Sequence, residues 1–438
     1  MSNNGRPDRG QTAALAEILN PKWVLRHRGS TPDFIRRYRA WAGKAAASKL
    51  AGLRKAAPHL LEFISDERTL YTALKHMEAE GSHAPGPDQL RYEDIALIGD
   101  WKWCRATRDE IRDGEYVPGA EKLQKIPKGP GRGFRELVVQ SVQERVIHRA
   151  VVEVLQPLLD PLFDRRSFGY RPKMGPLRAL ATAEHLYREC GLGVWVSVDV
   201  RNAFPNVPVP RLLDVVRKYI PDDDLIDFLE VVTRPDTTPG LRQGSPLSPL
   251  LLNLYLHHLL DRTWRRLHPD APLLRFADDI LILCRTPKQA QVAYTNLDAL
   301  LRPAGFTLKE SRQDAVRLVK AGQEVSWMGF GIGVTADGLR YTVTEDAWDG
   351  LAEKFAAAHG KPHSPLAALA SLAAWVGDKA PCFPFTDTAK AYGRMAQLAA
   401  AQGFEEIPEK HEVAGVWQPA YARWCGLRDK VAASVAAN

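Results

Sequence analysis

The chain has 438 residues, 45% hydrophobic and 25% charged, the balance of an ordinary globular protein rather than a disordered or fibrous one. No stretch reaches the ~18 consecutive apolar residues that a membrane span requires, and Met1 to Gln11 lacks the apolar centre of a secretory signal, so the expected location is the cytoplasm, with no membrane partner. The net charge of +7 is uneven, since residues 1–60 hold twelve Lys or Arg against three acids, and the five cysteines stand too far apart for a paired zinc site.

Residues 12–60 are predicted to be helical, Ala-rich and basic, broken at Pro21 and near Gly29 to Pro32. Their basic residues, Arg36, Arg37 and Arg39 among them, are interleaved with Trp23, Phe34, Tyr38 and Trp41. Such a pattern suits a polyanion, because phosphate contacts supply most non-specific nucleic-acid affinity; a solvated amphipathic helix pair explains it as well. A further helix spans 66–80 and is closed by the turn-forming run 81–88. Short strands are predicted within 116–140, around a Gly/Pro-rich hairpin at 127–133, followed by a helix over 141–159. The β-branched run 194–200 reads as a strand and 249–260 as a helix. Residues 273–284 read as strand, two-acid turn and strand. Helix is expected again at 289–301, a short hydrophobic hairpin at 324–332, and helices from Thr344 onward, interrupted through 381–384.

The two-acid turn carries the strongest chemical signal. Asp278 and Asp279 are flanked on both sides by apolar strand formers, and burying unpaired carboxylates costs several kcal/mol unless a cation or a basic group meets them. Their oxygens suit a hard cation such as magnesium; an exposed hairpin tip capped by two aspartates is the plain alternative. Asp199 lies near the end of the apolar strand Val194 to Val200, on a face shared with Ser197. If that strand lies beside the hairpin, three carboxylates converge, as two-metal phosphoryl transfer requires.

Three motifs in order now resemble a known family. Asp199-Val200-Arg201-Asn202-Ala203-Phe204 resembles the first catalytic motif of reverse transcriptases, and Phe276-Ala277-Asp278-Asp279 their aromatic-Ala-Asp-Asp motif. Between them, the run from Gln243-Gly244 through Ser248-Pro249 to Asn253 is similar to the Gln-Gly-x-x-x-Ser-Pro-x-x-x-Asn motif of the group II intron branch. Ile126-Pro127-Lys128 with Arg135, Ser167 to Pro172, Gly305 to Leu308 with Arg312, and Trp327 to Phe330 resemble further elements, so that the likeness spans roughly 66–335. Pro205 stands where intron-encoded enzymes usually carry a second Asp, Phe276 where Tyr is commoner, and Arg312 where Lys is usual. Since Arg stays protonated, a proton-donor role at position 312 is put in doubt.

The resemblance implies an α+β right-hand polymerase fold with fingers, a palm built on an antiparallel sheet and a helical thumb. It divides the chain into a basic helical extension (1–60), interleaved fingers and palm (61–335) and thumb with C-terminal region (336–438). It implies an RNA-directed DNA polymerase using two Mg2+ ions, with Mn2+ as a substitute, in which Asp199, Asp278 and Asp279 are catalytic and hold the metals together with the Val200 carbonyl. Lys128 and Arg135 would hold the triphosphate and pack on the base, Gln243 would contact the sugar, and Phe204 would be the steric gate against a 2′-hydroxyl. Arg36, Arg37, Arg39 and Arg171 are the candidate nucleic-acid contacts. The implied partners are an RNA template, a DNA product, dNTPs and a cognate noncoding RNA; the sequence does not give the oligomeric state. With no Cys pair before Asn438 for a target-cutting endonuclease, the expectation is a stand-alone bacterial enzyme of antiviral defence. A group II intron maturase, a CRISPR-associated enzyme and an RNA-binding scaffold with a vestigial site are the alternatives.

Overall fold

The computed structural model describes residues 21–26, 29–127, 133–234, 239–336, 338–361, 363–405 and 407–436. In chain order, the elements used below begin with α1 (Thr31–Ala47), α2 (Glu67–Glu80), β1 (Lys122–Pro127), β2 (Phe134–Val139), α3 (Val142–Leu159) and α4 (Pro176–Cys190). They continue with β3 (Val194–Asp199), β4 (Leu273–Phe276), β5 (Asp279–Cys284), α5 (Pro287–Leu301), β6 (Val316–Leu318), β7 (Val325–Trp327), β8 (Phe330–Thr335), β9 (Gly338–Val343) and α6 (Lys410–Ala436). The chain is therefore α+β with antiparallel sheets, and it divides into two compact units that interleave in sequence. One comprises Met1–Lys128, Phe134–Phe163 and Phe204–Tyr255; the other comprises Gly129–Gly133, Asp164–Ala203 and Leu256–Asn438.

The first unit is built on α3. Its start is fixed by a reciprocal cap: the Ser141 hydroxyl accepts the Glu144 N–H at 3.1 Å, and the Glu144 carboxylate accepts the Ser141 N–H at 3.1 Å. Val146, Ile147, Ala150, Val151, Val154 and Leu155 are buried around the helix, which marks it as a core element rather than a surface one. Helices α1 and α2 pack on it. Along α1, Phe34, Ile35, Tyr38, Trp41 and Ala42 recur at helical spacing and are buried, and the Tyr38 hydroxyl donates to the Val154 carbonyl. The aromatic and the basic residues of this segment thus lie on different faces of one helix. Strands β1 and β2 pair antiparallel from Lys122↔Val139 to Pro127↔Phe134.

The second unit holds a four-stranded sheet in the order β4-β5-β3-β6, with every pairing antiparallel. Trp195 of β3, Leu274 of β4 and Leu281 and Leu283 of β5 join Ala179, Leu180 and Ala183 of α4 in one core, and α5 packs on β3 and β5. A second sheet, β7-β8-β9, follows. The sequence suggests a hairpin only; the added β9 arises because Gly338 turns the chain at φ 130° and Leu339 and Tyr341 alternate inward. No helix among the described residues is long and apolar enough to cross a membrane.

Candidate active site

The carboxylates are positioned by strand register. β3 ends at Asp199 and β5 begins at Asp279, and the two are direct partners across the antiparallel pair. Directly opposed residues project from the same face, so these two acids share one face of the sheet. The Val200 N–H donates to the Asp278 carbonyl at 3.1 Å, which ties the residue after Asp199 to the tip of the hairpin.

That tip is a two-residue connection, Ala277-Asp278, between β4 and β5, and Ala277 sits at φ 61°. A side chain in this left-handed region costs about 1–2 kcal/mol, so the surroundings must hold it. Arg275, fully buried, donates to the Ala277 carbonyl at 2.9 Å and the Ser167 hydroxyl at 2.8 Å, and it forks onto Asp261 at 2.9 and 2.7 Å. Gly169 closes the other side: a Cβ there would stand 2.4 Å from the Ala277 nitrogen. The glycine of the Ser167–Pro172 element is therefore a packing requirement of the Ala277-Asp278 hairpin.

Three residues outside the expected site set bear on the acids. Glu310 accepts the Asp199 N–H at 2.7 Å, while the Lys309 ammonium lies 3.5 Å from the Asp199 carboxylate. The Asp279 carboxylate accepts the Trp327 indole N–H at 3.0 Å. Burial pushes the Asp279 carboxyl up to about 8, Asp199, Asp278 and Glu310 add repulsion, and the indole opposes them.

Hard oxygens crowded until one acid resists ionisation are the chemistry that a divalent cation relieves, so the residues fit such an ion. Among the described residues no group of three or more His, Cys, Asp or Glu side chains is disposed to hold a metal. The Asp279 carboxylate accepts from Trp327, and the Asp199 carboxylate faces Lys309.

The remaining candidates divide between the units. In the first, Phe204 is buried and its carbonyl accepts the Leu241 N–H at 2.9 Å. A Cβ on Gly240 would meet the Phe204 carbonyl oxygen at 2.8 Å, so this turn tolerates only glycine at 240. The half-buried Gln243 accepts the Val138 N–H through its own carbonyl at 2.8 Å, which docks the Gln-Gly motif on the strand that carries Arg135. Lys128 lies outside the described residues. On the exposed side of α1, Arg36 pairs with Asp33, and Arg39 pairs with Glu153 at 2.9 Å. In the second unit, Arg171 donates to the Asp164 and Ser167 carbonyls, at 2.6 Å each.

Sequence reasoning left out Glu310 and Lys309; it placed Trp327 and Gly169 in motifs and Arg275 in a strand, but not the contacts they make with the hairpin. One signal was available, since Arg275 is a lone charge within an apolar strand and such a charge needs a buried partner.

The reverse transcriptase (RNA-dependent DNA polymerase) family matches residues 126–332. The chain is 27% identical to protein YkfC of Escherichia coli over 211 residues, 45% of this chain and 55% of that one. It is 30% identical to the group II intron-encoded protein LtrA of Lactococcus lactis over 159 residues, 34% of this chain and 26% of that one. Among solved structures, a Cas6-RT-Cas1–Cas2 complex aligns with 83% of this chain and 50% of that chain, at 16% identity and a TM-score of 0.36. The chain thus spans about half the length of the first relative and about a quarter of the second.

Proposed function

We propose that this chain, which carries a reverse transcriptase domain of the group II intron-like kind over residues 126–332, is an RNA-directed DNA polymerase. The pairing of Asp199 with Asp279, beside a hairpin tip that presents Asp278, is the observation that supports it most. In the proposed reaction the 3′-hydroxyl oxygen of the growing strand bonds to the α-phosphorus of a dNTP. The bond from that phosphorus to its bridging oxygen breaks, pyrophosphate leaves, and the hydroxyl proton passes to solvent. Asp199, Asp278, Asp279 and the Val200 carbonyl would hold two divalent ions, magnesium by preference, which when bound supply charge neutralisation at the reacting oxygens. Lys128 and Arg135 take the triphosphate charge, Gln243 contacts the sugar, and Phe204 denies space to a 2′-hydroxyl. The assignment of 1–60 as an extension, 61–335 as fingers and palm and 336–438 as thumb belongs to the same proposal. Extension of a labelled DNA primer on an RNA template tests it: DNA synthesis that requires template, dNTPs and a divalent ion is expected. A folded chain that binds RNA and extends no primer is instead an RNA-binding scaffold.

The local charge excess in 1–60 supports an RNA partner, and we propose a cognate noncoding RNA, in antiviral defence, with Arg36, Arg37, Arg39 and Arg171 as phosphate contacts. Each contact removed should lower the log–log salt slope of RNA binding by about 0.7–0.9. A triple Arg36→Gln, Arg37→Gln, Arg39→Gln variant with the wild-type slope would assign the segment to packing, through pairs such as Arg39–Glu153.

A further inference from the structure

Apart from the carboxylates, the second unit contains a cavity of about 250 Å³ between the start of α4 and the end of α6. Arg165, Arg166 and Arg178 line it, together with Phe168, Leu186 and Val431, which are buried. Among the described residues none of these three guanidinium groups is in a salt bridge. Asp164 accepts the backbone N–H of Arg166 at 2.9 Å and turns its other oxygen to Arg265 at 3.0 Å. Other arginines of the unit are matched, Arg275 to Asp261 and both Arg188 and Arg428 to Glu184. Burial also holds Arg166 below the usual guanidinium range; Asp164 opposes this, while Arg165 and Arg265 add to it.

We propose that this cavity binds a phosphate-bearing ligand of about nucleotide size. The half-buried Arg166 and Arg178 and the exposed Arg165, with no carboxylate lining the cavity among the described residues, leave a positive charge that an anion relieves, and the planar fork of arginine matches phosphate in two-point contact. The apolar floor suits the body of a nucleotide, and the volume of about 250 Å³ lies just below the about 300 Å³ at which ligand pockets begin, so part of the ligand would stand outside it. The phosphate could come from a free nucleotide or from the 5′ end of an RNA. None of the lining residues belongs to the proposed polymerase site, so the ligand needs no divalent ion.

The test is binding to the full chain in excess EDTA, with three probes: a fluorescent ADP, a 5′-phosphorylated single-stranded RNA and the same RNA with a 5′-hydroxyl. The wild type should bind the fluorescent ADP, or prefer the phosphorylated RNA, and inorganic phosphate should compete. The double variant Arg166→Gln, Arg178→Gln should lose about tenfold or more in affinity for that probe, as charge-assisted hydrogen bonds imply. Asp278→Asn should bind as the wild type does. Loss confined to the fluorescent ADP identifies a free-nucleotide site, and loss confined to the phosphorylated RNA a 5′-end site. Circular dichroism checks folding, and the single variant Arg165→Gln, at an exposed position, replaces the double variant if that fails to fold. A wild type that binds no probe, or folded variants that bind every probe as tightly as the wild type, overturn the proposal.

Discussion

Arg275 and Asp261 form a two-point ion pair with both side chains withdrawn from water, and the same guanidinium holds the carbonyl of Ala277 at the tip of the β4–β5 hairpin. Replacing Arg275 with Met leaves Asp261 buried without its cation, a change that typically costs about 3–5 kcal/mol. Chemical denaturation should register that loss. Arg275→Met with Asp261→Asn should recover part of it, because no bare charge then remains in the core. Full wild-type stability in the single variant would mean that Asp261 is met by another group.

Phe204 is buried at a turn fixed by Leu241 and Gly240. Phe204→Ala removes the ring without disturbing those backbone contacts. It should raise GTP incorporation relative to dGTP in a competition on one template. An unchanged ratio in an active variant would place the sugar gate elsewhere.

His148 is buried between two elements of the first unit, 2.8 Å from the Ser245 hydroxyl and 3.1 Å from the Val232 carbonyl. A carbonyl only accepts, so Nε2 carries the hydrogen and Nδ1 accepts from Ser245. Burial holds this imidazole down at about 4, with the bond to Val232 opposing. As pH falls below the unfolded value of about 6.5, the unfolded chain takes a proton that the folded chain refuses, and stability is lost down to pH about 4. The loss is on the order of 3 kcal/mol. Urea titrations from pH 7 to 4 should show it in the wild type and weaken it in His148→Gln, and superimposable pH profiles would contradict the assignment.

Asp279 has the opposite sign. Its folded value of about 8 exceeds the unfolded value of about 3.9, so the metal-free chain loses stability as pH rises between them. Asp279→Asn keeps an acceptor for Trp327 but cannot ionise. In EDTA its melting temperature should exceed that of the wild type at pH 9 by more than at pH 5, and added magnesium should stabilise the wild type more. Parallel curves would remove the case for carboxylate crowding.

Much of this molecule is legible in its sequence because its signals are local. The helix beginning at Ser141, the apolar runs on both sides of Asp278-Asp279 and the strand ending near Asp199 each follow from spacing, and the elements formed where expected. What escaped depends on long-range pairing. Glu310 stands 111 positions from Asp199, and Trp327 stands 48 from Asp279, so no window of sequence joins either pair. The basic N-terminal segment shows the same limit: its charges are visible, but the Arg39–Glu153 pair that engages one of them exists only in the fold.

The most direct measurement is single-turnover incorporation of one dNTP on a saturating primer and RNA template, for wild type and Asp278→Asn. The expected result is a fall of roughly a thousandfold or more, about 4 kcal/mol, with primer–template affinity and folding nearly unchanged. Incorporation by a folded Asp278→Asn variant at close to the wild-type rate would contradict the assignment of Asp199, Asp278 and Asp279 as the polymerase site.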